Sequence, residues 1–429
     1  MSERAEAVLL LAITVLVGLG TAVVTLTNDE GITIDAFVAA ATFLASFGGL
    51  LFAVKSWAPK ATRLLLPPVA LLTALGLIEV FRIDRGLGRL QRYWILLAAV
   101  IAIAILRLLH GRGVEVLRRF RYLFLATAFG FLLLPLLPSG SPLGGTTING
   151  SRLWVQFEFG NRSLSFQPGE IAKVLLVVFF ASYLADRWRG LAEMPRSIWS
   201  VGLPEPRQLL PILLAFGISF AVLVYQRDLG ASILLFGLFV VLLYAATNRP
   251  AYLIAGGVLI AGGASAAQKV FPHVQARIAA WLHPFDDFGG GGFQIAQGMF
   301  ALSDAGIFGT GLGAGAPYLI PAAATDYIFV SLVEETGLAG GLAILTAFGL
   351  VFSVGFGIAV RSGDPFRSLL ALGLTVTLAL QMTLILGGVL RLMPLTGITL
   401  PFVSYGGSSL LANFGIVALL ARISHENRA

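Results

Sequence analysis

The chain has 429 residues, 57% of them hydrophobic and only 12% charged, with a mean hydropathy of +0.89. A soluble globular chain carries about 25% charged residues, so the composition excludes one and requires a membrane. The lack of cysteine excludes disulfide and thiolate chemistry, and four scattered histidines (His110, His273, His283, His425) argue against a zinc centre. The net charge of +7 follows from basic loops and needs no nucleic acid to explain it.

Long apolar runs predict an all-α, polytopic integral membrane protein with about twelve transmembrane helices. They fall near residues 6–27, 33–56, 64–82, 92–109, 121–138, 168–186, 207–225, 229–247, 250–268, 325–360, 367–391 and 401–423. The first run is too long for the core of a signal peptide and reads as a retained helix. The tenth exceeds one crossing and is expected to tilt, to kink at Gly337, Gly340 and Gly341, or to extend beyond the bilayer. Lys and Arg gather in one set of loops: Lys60 and Arg63; Arg107, Arg112, Arg118, Arg119 and Arg121; Arg187, Arg189, Arg196 and Arg207; Arg361 and Arg367; Arg422 and Arg428. That side is expected to be cytoplasmic, with both termini on it. The opposite side then holds Asn28-Asp29-Glu30, a loop over 139–167, and a large extracytoplasmic loop over 270–323 between spans nine and ten. Arg82, Arg85, Arg89 and Arg92 run against this rule, reading as interfacial anchors or as a basic rim for anionic lipid head groups. The division expected is a two-helix N-terminal region, 1–63, before a core over 64–429.

The two long loops are the natural home of function, because lipid-exposed irregular backbone is not tolerated at membrane depth. In the first, Asn149-Gly150-Ser151-Arg152-Leu153-Trp154 precedes Phe166-Gln167-Pro168-Gly169-Glu170-Ile171-Ala172-Lys173. Pro168 suits a first helical turn, and Glu170 and Lys173 at i,i+3 share a face. Lys173 reads as a snorkelling side chain or, with Arg152, as a holder of diphosphate. Asp228, in Gln226-Arg227-Asp228-Leu229-Gly230, reads as a helix cap or as a group orienting a basic residue in the site.

The chain is organised around 281–337. Here Pro284-Phe285-Asp286-Asp287-Phe288 runs into four glycines, then Phe293, Gln294 and Gln297. The glycines allow close approach of backbone to a bulky substrate. The run from Gly309 to Gly315 looks like a phosphate loop, but no Lys-Ser/Thr pair follows it, so a nucleotide is rejected. Asp326 enters span ten, with Glu334 aligned beneath it on a helical face and Glu335 turned away by about 100°. Each carboxylate at membrane depth costs roughly 2.5–3.5 kcal/mol, so both need partners. Last, 394–409 reads as a re-entrant segment whose Ser404, Tyr405 and Ser408 stand at a helix start, for packing or for an anionic head group.

Taken together, NGSRLW, FQPGEIAK, QRDLG, HPFDDFGGGGFQ, TDYIF…EETG and MPLTGITLPFVSYGGSS resemble the SEDS family of RodA, FtsW and SpoVE, in the family's order, from Gln91 to the C-terminus. The resemblance implies a peptidoglycan glycosyltransferase polymerising lipid II outside the cytoplasmic membrane, with a class B penicillin-binding protein as partner. It implies Asp287 as the catalytic carboxylate. Arg152, Glu170, Lys173, Asp228, Gln294, Asp326, Glu335, Ser404, Tyr405 and Ser408 are the expected substrate and diphosphate residues. The expected cofactor is a divalent cation, Mg or Mn, with no organic cofactor. Departures from the family pattern are the two added N-terminal spans, Arg227 for Pro, Ala322-Ala323-Ala324 without Glu and His, Phe288 for Pro, Ile385 for Asn, and Arg391 where Gly is usual. The rival readings are a flippase or transporter for a lipid-linked precursor, and an idle scaffold for the transpeptidase.

Overall fold

The computed structural model describes residues 1–27, 31, 33–138, 144–148, 151–159, 162–192, 196–198, 201–203 and 206–429. Asn28-Asp29-Glu30 and Asn149-Gly150 therefore lie outside the described residues. In chain order the elements are α1 (Glu3–Leu26), α2 (Ile34–Trp57), α3 (Leu66–Ile83), α4 (Arg85–Leu109), α5 (Glu115–Arg119) and α6 (Arg121–Leu133). Next come β1 (Gly145–Ile148), β2 (Ser151–Phe159), β3 (Arg162–Phe166), α7 (Pro168–Ala192), β4 (Arg196–Ile198), β5 (Val201–Leu203), α8 (Pro206–Tyr225), α9 (Leu229–Thr247) and α10 (Pro250–Val270). The chain closes with α11 (Pro272–Leu282), α12 (Phe293–Asp304), α13 (Ile328–Val360), α14 (Pro365–Val389) and α15 (Gly407–Glu426).

Among the described residues ten helices are long and apolar enough to cross a membrane. Two shorter apolar helices, Arg121–Leu136 and Leu210–Tyr225, stand at the fifth and seventh expected spans. The chain is thus a multi-pass α-helical membrane protein. Three local expectations change. The 139–167 loop carries an antiparallel sheet in the order β1-β2-β3. The large loop holds two helices, α11 and α12. The last span begins at Gly407, not 401, because 394–406 is irregular backbone.

By packing, the described residues form two units: 1–110, 265–354 and 381–429 in one; 111–264 and 355–380 in the other. In the second unit α7 packs on α6, α8 and α9, and its aromatic core stacks Phe216 on Phe239 at 4.5 Å between centroids. In the first unit, α4 lies against α2, α3 and α15. The N-terminal pair belongs here, with α1 on α3 and α2 on α4. Its buried hydroxyls are satisfied within their own helices: Thr14 Oγ1 donates to Leu10 O and Thr21 Oγ1 to Val17 O. Asp35 of α2 accepts from Arg89 Nη2 at 2.7 Å and from Arg92 Nη1 at 3.0 Å, both on α4. Two of the arginines expected to form a basic rim therefore hold the N-terminal hairpin to the core. Asp35→Asn removes the charge both guanidiniums share and is expected to cost about 1–3 kcal/mol, read as a lower melting midpoint of the purified protein in detergent.

Candidate active site

Asp287 lies in the exposed turn between α11 and α12. Its Oδ2 accepts from Gly291 N at 2.8 Å, and its carbonyl accepts from Gly290 N and Gly292 N. Oδ1 takes no hydrogen bond among the described residues. The glycines have a steric reason. A Cβ on Gly290 would stand 2.5 Å from Asp287 Oδ2, and one on Gly292 would stand 2.0 Å from Pro284 O. Phe285 and Phe288 anchor the turn by packing their rings near Phe300 of α12. Asp286 is exposed, with His283 Nδ1 at 3.8 Å. Gln294 donates Nε2 to Pro321 O at 2.8 Å, tying α12 to the segment before Asp326.

Glu334 and Glu335 do find partners, and those partners are the glycine run. Glu335 accepts from Gly313 N (2.9 Å) and Gly315 N (3.3 Å), with Arg82 Nε at 3.2 Å, while Glu334 accepts from Ala316 N at 2.9 Å. Arg82 completes the ring by donating to Gly313 O and Gly315 O. A backbone cradle of the kind that binds phosphate is here filled by the protein's own carboxylates. The expected kink is at Gly337, whose φ is +71°. The amides past it, Leu338 N and Ala339 N, donate to Gly306 O and Ile307 O, so the loop replaces the broken helical bonds. Gly309 and Gly337 allow this close backbone approach. Leu312 at the loop tip packs against Val24, Ile78 and Phe81, so the N-terminal hairpin supports the loop.

Asp326 precedes α13 rather than lying on its face. Ala322 O accepts from the amides of Thr325, Asp326 and Tyr327, and the helix starts only at Ile328; Glu334 is therefore not stacked beneath Asp326 along one helix. Burial pushes the Asp326 carboxyl up to about 6 from 3.8, against the pull of the Thr325 hydroxyl and the Arg277 charge. The native state thus holds a proton that the unfolded chain releases, so stability falls as pH rises from 3.8 to about 6 and stays lower above. Asp326→Asn removes this penalty, of order 3 kcal/mol. Its melting midpoint should exceed that of the parent protein at pH 7.5 and match it near pH 4.

The 394–409 segment is bound into the interior. Ser404 Oγ donates to Thr325 O and accepts from Leu400 N at 2.8 Å; Tyr405 N donates to Ala324 O at 2.8 Å. Ser408 is buried in the first turn of α15, next to Gly407, whose close contact with the Trp94 ring leaves no room for a Cβ. In the second unit, Lys173 Nζ donates to Glu170 Oε2 at 2.7 Å, as the i,i+3 spacing implied. Asp228 caps α9, accepting from Ala231 N at 2.9 Å. Arg152 donates to Gly145 O at 3.1 Å and to Leu137 O.

Two residues that sequence reasoning passed over or read only as a departure hold the Asp287 turn's neighbourhood. Arg277 of α11 donates to Leu395 O and Thr396 O, at 3.1 and 3.0 Å. Arg391 donates to Trp281 O and Leu282 O, at 2.9 and 2.8 Å. Separations of 109–119 residues left no local signal for either. Among the described residues no group of three or more His, Asp or Glu converges as a metal cage requires. No step below uses a divalent cation.

A lipid-embedded helical scaffold with a carboxylate held in an exposed glycine turn is the class these features define. Residues 62–429 match the profile of the "Cell cycle protein" family of FtsW, RodA and SpoVE, and the chain belongs to that family. It is 40% identical over 438 residues to the peptidoglycan glycosyltransferase RodA of Mycobacterium tuberculosis H37Rv, covering 99% of this chain and 91% of the relative. It is 32% identical to the stage V sporulation protein E of Bacillus subtilis strain 168, covering 72% and 80%. A chain from a solved peptidoglycan synthase complex, described as coordinating polymerization and crosslinking, superposes with a TM-score of 0.67 at 26% identity, over 86% of this chain and 98% of that one. The crystal structure of Thermus thermophilus RodA shares the fold, with a TM-score of 0.55 over 86% and 98% at 24% identity.

Proposed function

We propose that Asp287 is the general base with which this chain, a peptidoglycan glycosyltransferase, polymerises lipid II. The observation that carries the assignment is the turn itself: one carboxylate oxygen is fixed by Gly291 N, while Oδ1 is left to take a proton. Oδ1 receives the proton of the acceptor's GlcNAc 4-hydroxyl as that oxygen attacks the anomeric carbon of the donor's MurNAc. The O4–C1 bond forms on one face as the bond to undecaprenyl diphosphate breaks on the other, inverting the carbon. In the second unit, the paired Glu170 and Lys173, together with Arg152, are the groups suited by charge to hold a diphosphate. Gln294, Asp326, Glu335, Ser404 and Tyr405 hold the backbone of the first unit through the bonds described above, Ser408 is buried at the start of α15, and Asp228 caps α9 in the second unit.

The chain works in the bacterial cytoplasmic membrane with both termini inside and the Asp287 turn outside, a reading supported by its basic loops. Its partner is a class B penicillin-binding protein, a reading supported by its likeness to a component of a synthase complex. Detergent solution separates this function from lipid transport, because micelles have no second compartment. The purified chain with its partner is expected to make glycan strands from lipid II in micelles. Transport of labelled lipid II in vesicles without polymer in micelles would refute the enzyme reading.

A further inference from the structure

We infer that Arg391 is a positioning residue for the Asp287 turn, acting as a clamp between the ends of two helices. The inference rests on Asp287 as the base. Helix α14 ends in a Schellman pattern: Leu392 N donates to Gly387 O at 2.8 Å and Arg391 N to Gly388 O at 3.1 Å. The residue after the cap in this motif adopts left-handed backbone and is usually glycine. Here it is arginine, at φ +59°. A bulky residue is strained in that conformation, so the position is explained by what the side chain does.

The guanidinium crosses to α11 and donates to the last two carbonyls of that helix, Trp281 O at 2.9 Å and Leu282 O at 2.8 Å. Terminal helical carbonyls have no partner within their helix, and a cation there complements the dipole. Trp281 returns the contact, its indole Nε1 donating to Arg391 O at 3.0 Å. The grip borders a cavity of about 460 Å³ whose wall includes Met299, Leu302 and Val389, so hydrogen bonds rather than close packing join the two helix ends. Chain direction gives the consequence. Leu282 is the last residue of α11, and Asp287 follows five residues later in an exposed turn. Arg391 thereby sets where the turn that carries the base leaves the scaffold.

Arg391→Gly supplies the residue the backbone favours and removes the clamp. Arg391→Lys keeps the charge but cannot fork across two carbonyls. Initial rates of lipid II polymerisation by the full chain with its partner are expected to show kcat lower by about 10- to 100-fold in both variants, with KM nearly unchanged. Arg391→Gly should keep the parent melting midpoint. Trp281→Phe, which removes the returning bond, should add little to Arg391→Gly, since both break one clamp. A kcat within about twofold of the parent in Arg391→Lys or Arg391→Gly would overturn the inference, as would full additivity with Trp281→Phe. If Arg391→Gly loses its fold, the kcat of Arg391→Lys decides. Asp287→Ala is assayed beside them. Activity in Asp287→Ala defeats the base assignment, whereas an inactive Asp287→Ala with active Arg391 variants defeats only the clamp.

Discussion

Asp287→Asn is expected to slow lipid II polymerisation by about 10²- to 10⁴-fold, the range over which a positioned general base acts. Asparagine keeps the size of the side chain, and its amide oxygen can still accept from Gly291 N, the one side-chain bond Asp287 makes among the described residues. The turn is exposed and anchored through Phe285 and Phe288, so the fold does not depend on the charge. What is lost, on the proposed role, is the ability to take the acceptor's proton in the transition state. The loss should therefore fall on kcat and leave KM near its parent value. Steady-state kinetics with the purified chain and its partner provides the check.

Gly290→Ala should be nearly as damaging without touching the acid itself. The added methyl would stand 2.5 Å from Asp287 Oδ2 and 2.8 Å from its Cγ. The carboxylate is the movable end of its side chain, so it must swing away and abandon Gly291 N. Misplacing a catalytic group by about 1 Å costs on the order of 10²-fold in rate, and a loss of that size is expected with an unchanged melting midpoint. Gly292→Ala makes the contrasting case. Its methyl meets backbone, Pro284 O at 2.0 Å, which has no torsion of its own to yield, so the whole turn must refold. That variant should lose thermal stability as well as activity. Melting curves and polymerisation rates for the two alanine variants, measured together, separate displacement of the acid from collapse of the turn.

The membrane spans were legible because apolar length alone reports them, and α7, α9 and α10 start or stop within a few residues of expectation. The Glu170–Lys173 pair and the Asp228 cap were legible because both are local, within one helical turn. The sheet was missed although its signs were present. Residues 151–159 alternate as SRLWVQFEF, and Asn149-Gly150 between the paired Ile148 and Ser151 is a strong hairpin signal. Helix α11 was hidden by the glycine-rich character of the loop around it, although Pro272 marks its first turn. The ring of Arg82, Glu334, Glu335 and the 309–316 loop could not be read at all. Its partners are tertiary, and a glycine run carries no sign of which anion its amides will face. In the structure the amides of that loop face the protein's own carboxylates. The same limit hid the N-terminal clamp, where Asp35 and Arg89 lie 54 residues apart.

Asp286 and Asp287 are adjacent acids in one exposed turn, and alanine variants of each distinguish which takes the proton. Vesicles carrying the purified chain and a class B partner are supplied with lipid II, and glycan strands are resolved by length. With Asp286→Ala, whose carboxylate is exposed and lies 3.8 Å from His283 Nδ1, strands of parent length should form. With Asp287→Ala, at equal protein and equal melting midpoint, no strand should form. Strands made by Asp287→Ala at the parent rate would contradict the account.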